Sequence, residues 1–167
     1  MCLIIKKGQR YKYAKEDIVC YKVVRRFDKF GKTHYETPYQ RSYVEFNITY
    51  DESADGMVIK KGSDDIIINC DSELYRAVYG GAFHSFKKYS DAVNEAKDWG
   101  MFAEIAAIVV KCIIPKGAKY YEGEVNLYSG IIGGFPEGYA SDKIIYTNTI
   151  YDKWSDEDSP RWIEVIN

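Results

Sequence analysis

The chain holds two histidines, and one of them, His84, sits in the apolar block Gly81-Ala82-Phe83-His84-Ser85-Phe86. Read as a strand, this block sends His84 to the opposite side from Phe83 and Ser85. With Phe83 turned to a core, His84 faces a cleft or solvent, where an imidazole can orient a ligand or move a proton. The same alternation separates His84 from Ser85, so the two neighbours are poorly placed as a base and a nucleophile. A hydrogen-bonded structural histidine is the plainer alternative.

Two carboxylates, Glu122 and Glu124, lie two residues apart. An extended backbone puts them on one face, where like charges raise one pKa and make an acid/base pair. Gly123 between them favours an exposed turn instead. Ser141 and Asp142 present a hydroxyl and a carboxylate just before a long apolar segment, either at the mouth of a cleft or bonded to their own backbone. Gly130, Gly133, Gly134 and Gly138 lack the spacing of a phosphate-binding loop and read as a loop. Cys2, Cys20, Cys70 and Cys112 are too scattered for a metal clip and read as reduced, structural thiols, so no metal is expected.

Positioning such groups requires a core, and 167 residues at 46% hydrophobic and 29% charged suffice for one domain without disorder. No apolar run approaches the roughly 20 residues that span a bilayer, and the start lacks the order of a signal peptide. A cytoplasmic protein without a membrane partner is the expectation. Residues 1–50 carry 11 Lys or Arg against 5 Asp or Glu, and the rest 12 against 20. The basic part is interleaved with aromatics (Arg10-Tyr11-Lys12-Tyr13, then Arg25-Arg26-Phe27-Asp28-Lys29-Phe30), a pattern suited to phosphates and stacked bases. Packing against the acidic Asp156-Glu157-Asp158 is its alternative use. The 16 tyrosines favour an interaction surface or wet pocket.

Strands are expected at 18–24, 39–50, 105–114, 143–150 and 162–166, and a hairpin over Met57–Ile68. Helices are expected at 72–79 and at 90–99, the second capped by Ser90 and ended by Gly100. The sum is an α+β, sheet-dominated single domain over 1–167 with one or two short helices. Its core spans 18–150 and an acidic C-terminal segment covers 151–167.

Four segments also carry a resemblance. Cys20–Val24, Gly81–Phe86, Val110–Tyr121 and Tyr139–Ile145 together are similar to a group of small proteins of bacteriophages and Bacteroidales-type genomes, over about residues 18–150. The group brings no activity with it. It implies a phage or mobile-element origin, a host cytoplasm, and a role against a host or defence component. More distantly, the order Tyr21–Val24, Phe83–Phe86, Ile113–Gly117, Ser141–Ile144 resembles the ADP-ribosyltransferases. That likeness implies NAD, with His84, Ser85 and one of Glu122, Glu124 or Asp142 at the site. The late strand has no glutamate where that family has its catalytic one, and one serine remains of its Ser-Thr-Ser element. The departures favour a non-catalytic binding protein, with Tyr21, Lys22, His84, Tyr139 and Ser141 contacting a host macromolecule or nucleotide-like ligand and no cofactor. An NAD-using transferase and a nucleic-acid-binding protein acting through residues 1–50 are the alternatives.

Overall fold

The computed structural model describes residues 2–38, 40–52, 57, 59–61, 74–78, 80–103, 106–126, 135–152 and 161–164. β1 (Cys2–Lys6) and the two-residue β2 (Lys12–Tyr13) lead to the long β3 (Ile18–Lys29), which returns as β4 (Lys32–Glu36). Phe30 and Gly31, both at positive φ, make the tight turn between them, as a two-residue hairpin requires. Four short strands follow: β5 (Thr49–Asp51), β6 (Ile59–Lys61), β7 (Tyr75–Val78) and β8 (Phe83–Phe86). The helix α1 (Tyr89–Ala103) precedes β9 (Ala106–Ile114), β10 (Lys119–Asn126), β11 (Glu137–Ser141), β12 (Lys143–Asp152) and β13 (Arg161–Glu164).

The strands form one antiparallel sheet in the order β13-β12-β9-β3-β8-β11-β10-β1-β7-β6, with β2, β4 and β5 added at β10, β3 and β12. The join between β3 and β8 is the weakest in that order. β3 and β9 are zipped over nine ladder pairs, Ile18↔Ile114 through Arg26↔Ala106. β3 and β8 share one pair, Tyr21↔Phe86. This seam divides the sheet into a β13-β12-β9-β3 half and a β8-to-β6 half.

Each face of the sheet has its own core. On one, Val23, Phe86, Val109, Val125 and Ala140 pack against Ala92 of α1. On the other, Cys20, Val24, Val110, Cys112, Ile144 and Tyr146 are covered by Val44 and Phe46. The cover belongs to the irregular segment between β4 and β5. The α+β, sheet-dominated architecture is therefore present, with one helix among the described residues.

The strands expected at 18–24, 105–114 and 143–150 form, the first prolonged to Lys29. Four expectations need correction. Residues 75–78 are a strand, not a helix, because Tyr75–Val78 fills the space between β1 and β6 with Ala77 and Val78 fully buried. Residues 40–48 are irregular: Arg41 and Asn47 take left-handed conformations that break a ladder, although Val44 and Phe46 keep the alternation inward. Gly100 lies within α1, since a single glycine costs about 1 kcal/mol and does not outweigh a packed helix face. Gly123 sits in β10 instead of a turn, opposite Gly138 of β11. A Cβ at either position would strike a neighbouring backbone carbonyl, that of Ile4 or of Ser85, so glycine permits the close strand packing.

The turn and second arm of the expected 57–68 hairpin, Cys70, the glycines at 130, 133 and 134, and the acidic run 156–158 lie outside the described residues. β6 pairs with β7. Of the segment 151–167, β13 adds to the sheet edge beside β12.

Candidate functional site: a lysine at the seam of the sheet

Cys20, Lys22 and Val24 alternate along β3 and therefore share the face covered by Val44 and Phe46. Cys112 stands across the ladder from Cys20, and Val110 from Lys22. A lysine thus occupies the middle of an apolar row. Its Nζ donates a hydrogen bond to the main-chain carbonyl of His84 on β8 and lies 6.0 Å from the centre of the Tyr146 ring. Where the ladder between β3 and β8 gives out, the lysine side chain bridges it.

The same place holds a cavity of about 350 Å³. Lys22, His84, Phe83, Tyr50, Tyr146 and Glu52 line it, with Thr37, Gln40 and Tyr43 contributing to one wall. A cavity of this size accommodates a small ligand. The Tyr50 ring packs edge-on against Tyr146 at 5.4 Å and against Phe83 at 6.2 Å, which makes a continuous aromatic wall. The Tyr50 hydroxyl accepts from the Glu45 N–H at 2.8 Å and so ties the irregular segment to this wall.

The electrostatics follow from burial. Removal from water disfavours the Lys22 ammonium and lowers its pKa below that of an ordinary lysine. Burial pushes the Cys20 thiol up to about 11 and raises Cys112 and Tyr146 well above their usual values. These groups are neutral near pH 7 and give the lysine no counter-charge. Among the described residues no carboxylate is ion-paired with Lys22. Ser85, fully buried, lies close enough to Cys20 to oppose part of that rise, but its Oγ has no hydrogen-bond partner of normal geometry among the described residues.

The structure separates the residues expected at the site. Phe83 and His84 do alternate, but the side given to the imidazole is the core under α1, in phase with Phe86 and opposite Ala140, not a cleft or solvent. There its Nε2–H donates to the Val78 carbonyl at 2.8 Å, and burial lowers its pKa to about 4. What His84 gives Lys22 is its carbonyl oxygen. Tyr21 points to the helix side, its ring 6.3 Å from that of Tyr89.

Tyr139 packs on Tyr120, 5.8 Å between centres, and the Ser141 hydroxyl donates to the Lys143 carbonyl at 2.9 Å. The Asp142 carboxylate accepts from the Lys119 N–H at 2.9 Å. Ser141 and Asp142 therefore fix the β11–β12 corner. Glu122 and Glu124 do share a face of extended β10, but the Glu122 carboxylate is engaged by two lysines instead of forming an acid/base pair. Lys87 at 2.7 Å and Lys12 at 3.0 Å hold the Glu122 carboxyl below its usual range, while Glu124 is exposed.

Of the expected residues, Lys22 and His84 meet at the cavity. Tyr50, Tyr146 and Glu52 complete it and had no motif to mark them, while Phe83, expected to face a core, joins the aromatic wall. The one signal was Lys22 itself, a charge inside Ile18-Val19-Cys20-Tyr21-Lys22-Val23-Val24. The basic residues of 1–50 form two groups: those around β1 and β2 are separated from those on β3 and β4 by β8, β11 and β10. Among the described residues no three metal-ligating side chains gather, and no helix is long and apolar enough to cross a membrane. No family model matches this chain, and neither does any curated protein or solved structure.

Proposed function

We propose that this chain is a non-catalytic binding protein whose seam cavity takes a small nucleotide-like ligand. The observation that carries the reading is the Lys22 amine, half-buried in an apolar row beside a cavity and ion-paired with no carboxylate among the described residues. A half-buried cation with no counter-ion among the described residues is partly desolvated at a cost, and an anionic group supplied by a ligand offsets that cost. The wall of Tyr50, Tyr146 and Phe83 suits a planar ring stacked edge or face against it. The resemblance to phage and Bacteroidales-type proteins supports a ligand met in a host cytoplasm.

The reading as an NAD-using transferase shares this cavity but needs a carboxylate at it. Glu122, Glu124 and Asp142 do not line it, and Glu52 does. The carboxylates that the transferase resemblance assigns thus stand away from the cavity, which favours binding without turnover, with Glu52 left as the acidic group at the lining. A thermal-shift series with NAD, ADP-ribose and AMP tests it. Saturable stabilisation by at least one of them supports the reading, and no shift at millimolar ligand removes it.

A further inference from the structure

We propose that Lys22 captures its ligand covalently, condensing with an aldehyde or ketone carbon to form an imine inside the seam cavity. The inference rests on the reading of this cavity as a ligand site and adds the chemical class of the ligand: a small, planar, anionic carbonyl compound.

Three features of the geometry converge. The amine is held in place by the His84 carbonyl, so it approaches a ligand from a fixed direction. Its surroundings on the apolar row are Cys20, Val24, Val110 and Cys112, and the aromatic wall faces it from β5 and β12. The titratable groups around it are the two thiols, the Tyr146 and Tyr50 phenols and Glu52 at the lining, with the His84 imidazole turned away. Among the described residues no carboxylate is ion-paired with the amine to hold it as an ammonium ion. Desolvation shifts a lysine toward the neutral amine, the form that attacks a carbonyl.

The step balances without an oxidant or reductant. The nitrogen lone pair forms a C–N bond as the carbonyl π pair moves to oxygen. The proton lost by nitrogen is taken up by that oxygen, which gives a carbinolamine. The C–O bond then breaks, a second amine proton leaves with the departing hydroxide as water, and a C=N bond remains. Protonation of the imine restores one positive charge at the nitrogen, so the anionic group of the ligand keeps its partner. The buried thiols, held neutral, do not compete for the carbonyl as thiolates.

The test uses the full chain and pyridoxal 5′-phosphate, a planar anionic aldehyde, followed by borohydride reduction and peptide mapping. The expected result is one dominant adduct on Lys22 at low probe concentration. Lys22→Arg, which keeps the charge but not the nucleophile, and Lys22→Met both lose it, with labelling elsewhere unchanged. Each unit by which the amine pKa falls gives about tenfold more neutral amine at a fixed pH below it, so labelling of Lys22 should outpace surface lysines. Adducts spread over surface lysines with Lys22 unlabelled overturn the proposal. The carbonyl-free pyridoxine 5′-phosphate separates the two readings. If it binds the wild type while no adduct forms, covalent capture falls and the ligand site stands. If neither compound engages the cavity, both fall. The map of the wild-type protein decides even if a variant fails to fold.

Discussion

Lys22 Nζ and the main-chain carbonyl of His84 are hydrogen-bonded across the seam where β3 and β8 share a single ladder pair. The contact joins the two halves of the sheet through a side chain instead of a ladder bond. It also leaves an amine beside a cavity in an apolar row. A methionine there would fill comparable space without the desolvation cost, so the amine calls for an explanation beyond packing.

Lys22→Met therefore separates a structural clamp from a ligand contact. Replacing a half-buried charge in an apolar row by an apolar side chain is often neutral or stabilising, while an unpaired carbonyl costs about 1–3 kcal/mol. The expected net change in denaturant unfolding is within about 1 kcal/mol of wild type. The folded pKa of Lys22 lies below its unfolded value of 10.5, so the unfolded state binds more protons between the two. Wild-type stability should gain from this group as pH rises through that window, and the gain should vanish in Lys22→Met. A much larger loss of stability in the variant would make the amine a clamp.

His84 should titrate far below an ordinary histidine. Its folded pKa of about 4 lies under the usual 6.5, so the neutral form is favoured by folding. The stabilisation is fully present above pH 6.5 and is lost as pH falls toward 4, about 3 kcal/mol at most. Nitrogen chemical shifts of the two imidazoles, assigned with His34→Gln, read this directly. An ordinary titration near 6.5 would show that the imidazole is open to water.

Glu122→Gln removes the partner of Lys12 and Lys87 on a partly exposed surface. Such pairs contribute little, and the expected loss is under about 1 kcal/mol and shrinks with added salt. The lowered carboxyl pKa places that small term above the unfolded pKa, and it is lost as pH falls through the folded one. Ligand binding at the seam should be untouched. A large loss of binding would move the site to β10.

Gly138→Ala drives a methyl group into Val125 and the Ser85 carbonyl where β8, β10 and β11 meet. Overpacking against backbone costs about 1–3 kcal/mol or more, readable as a lower melting temperature. An unchanged melting temperature would mean that these strands sit farther apart.

Much of this frame was legible in local pattern. The apolar runs at 18–24 and 106–114 and the alternation of 143–150 are strands because β-branched and aromatic side chains suit a packed pleat. Tyr75–Val78 was not legible, since four residues between glycine-rich and polar neighbours carry no period and take their state from β1. Alternation correctly set His84 opposite Phe83 but could not say that both faces of this sheet are covered. That is why the imidazole is structural and its carbonyl is what reaches the site. Tyr50 and Tyr146 are separated from Lys22 by long stretches of chain, and only tertiary pairing brings them to one wall.

The most direct test of the central claim is a calorimetric titration of NAD, ADP-ribose and AMP into the wild type and Lys22→Met, with folding of both verified. Saturable binding to the wild type and a loss of tenfold or more in the variant, about 1.4 kcal/mol, are expected. Equal affinity in both proteins, or no binding by the wild type at millimolar ligand, would contradict that claim.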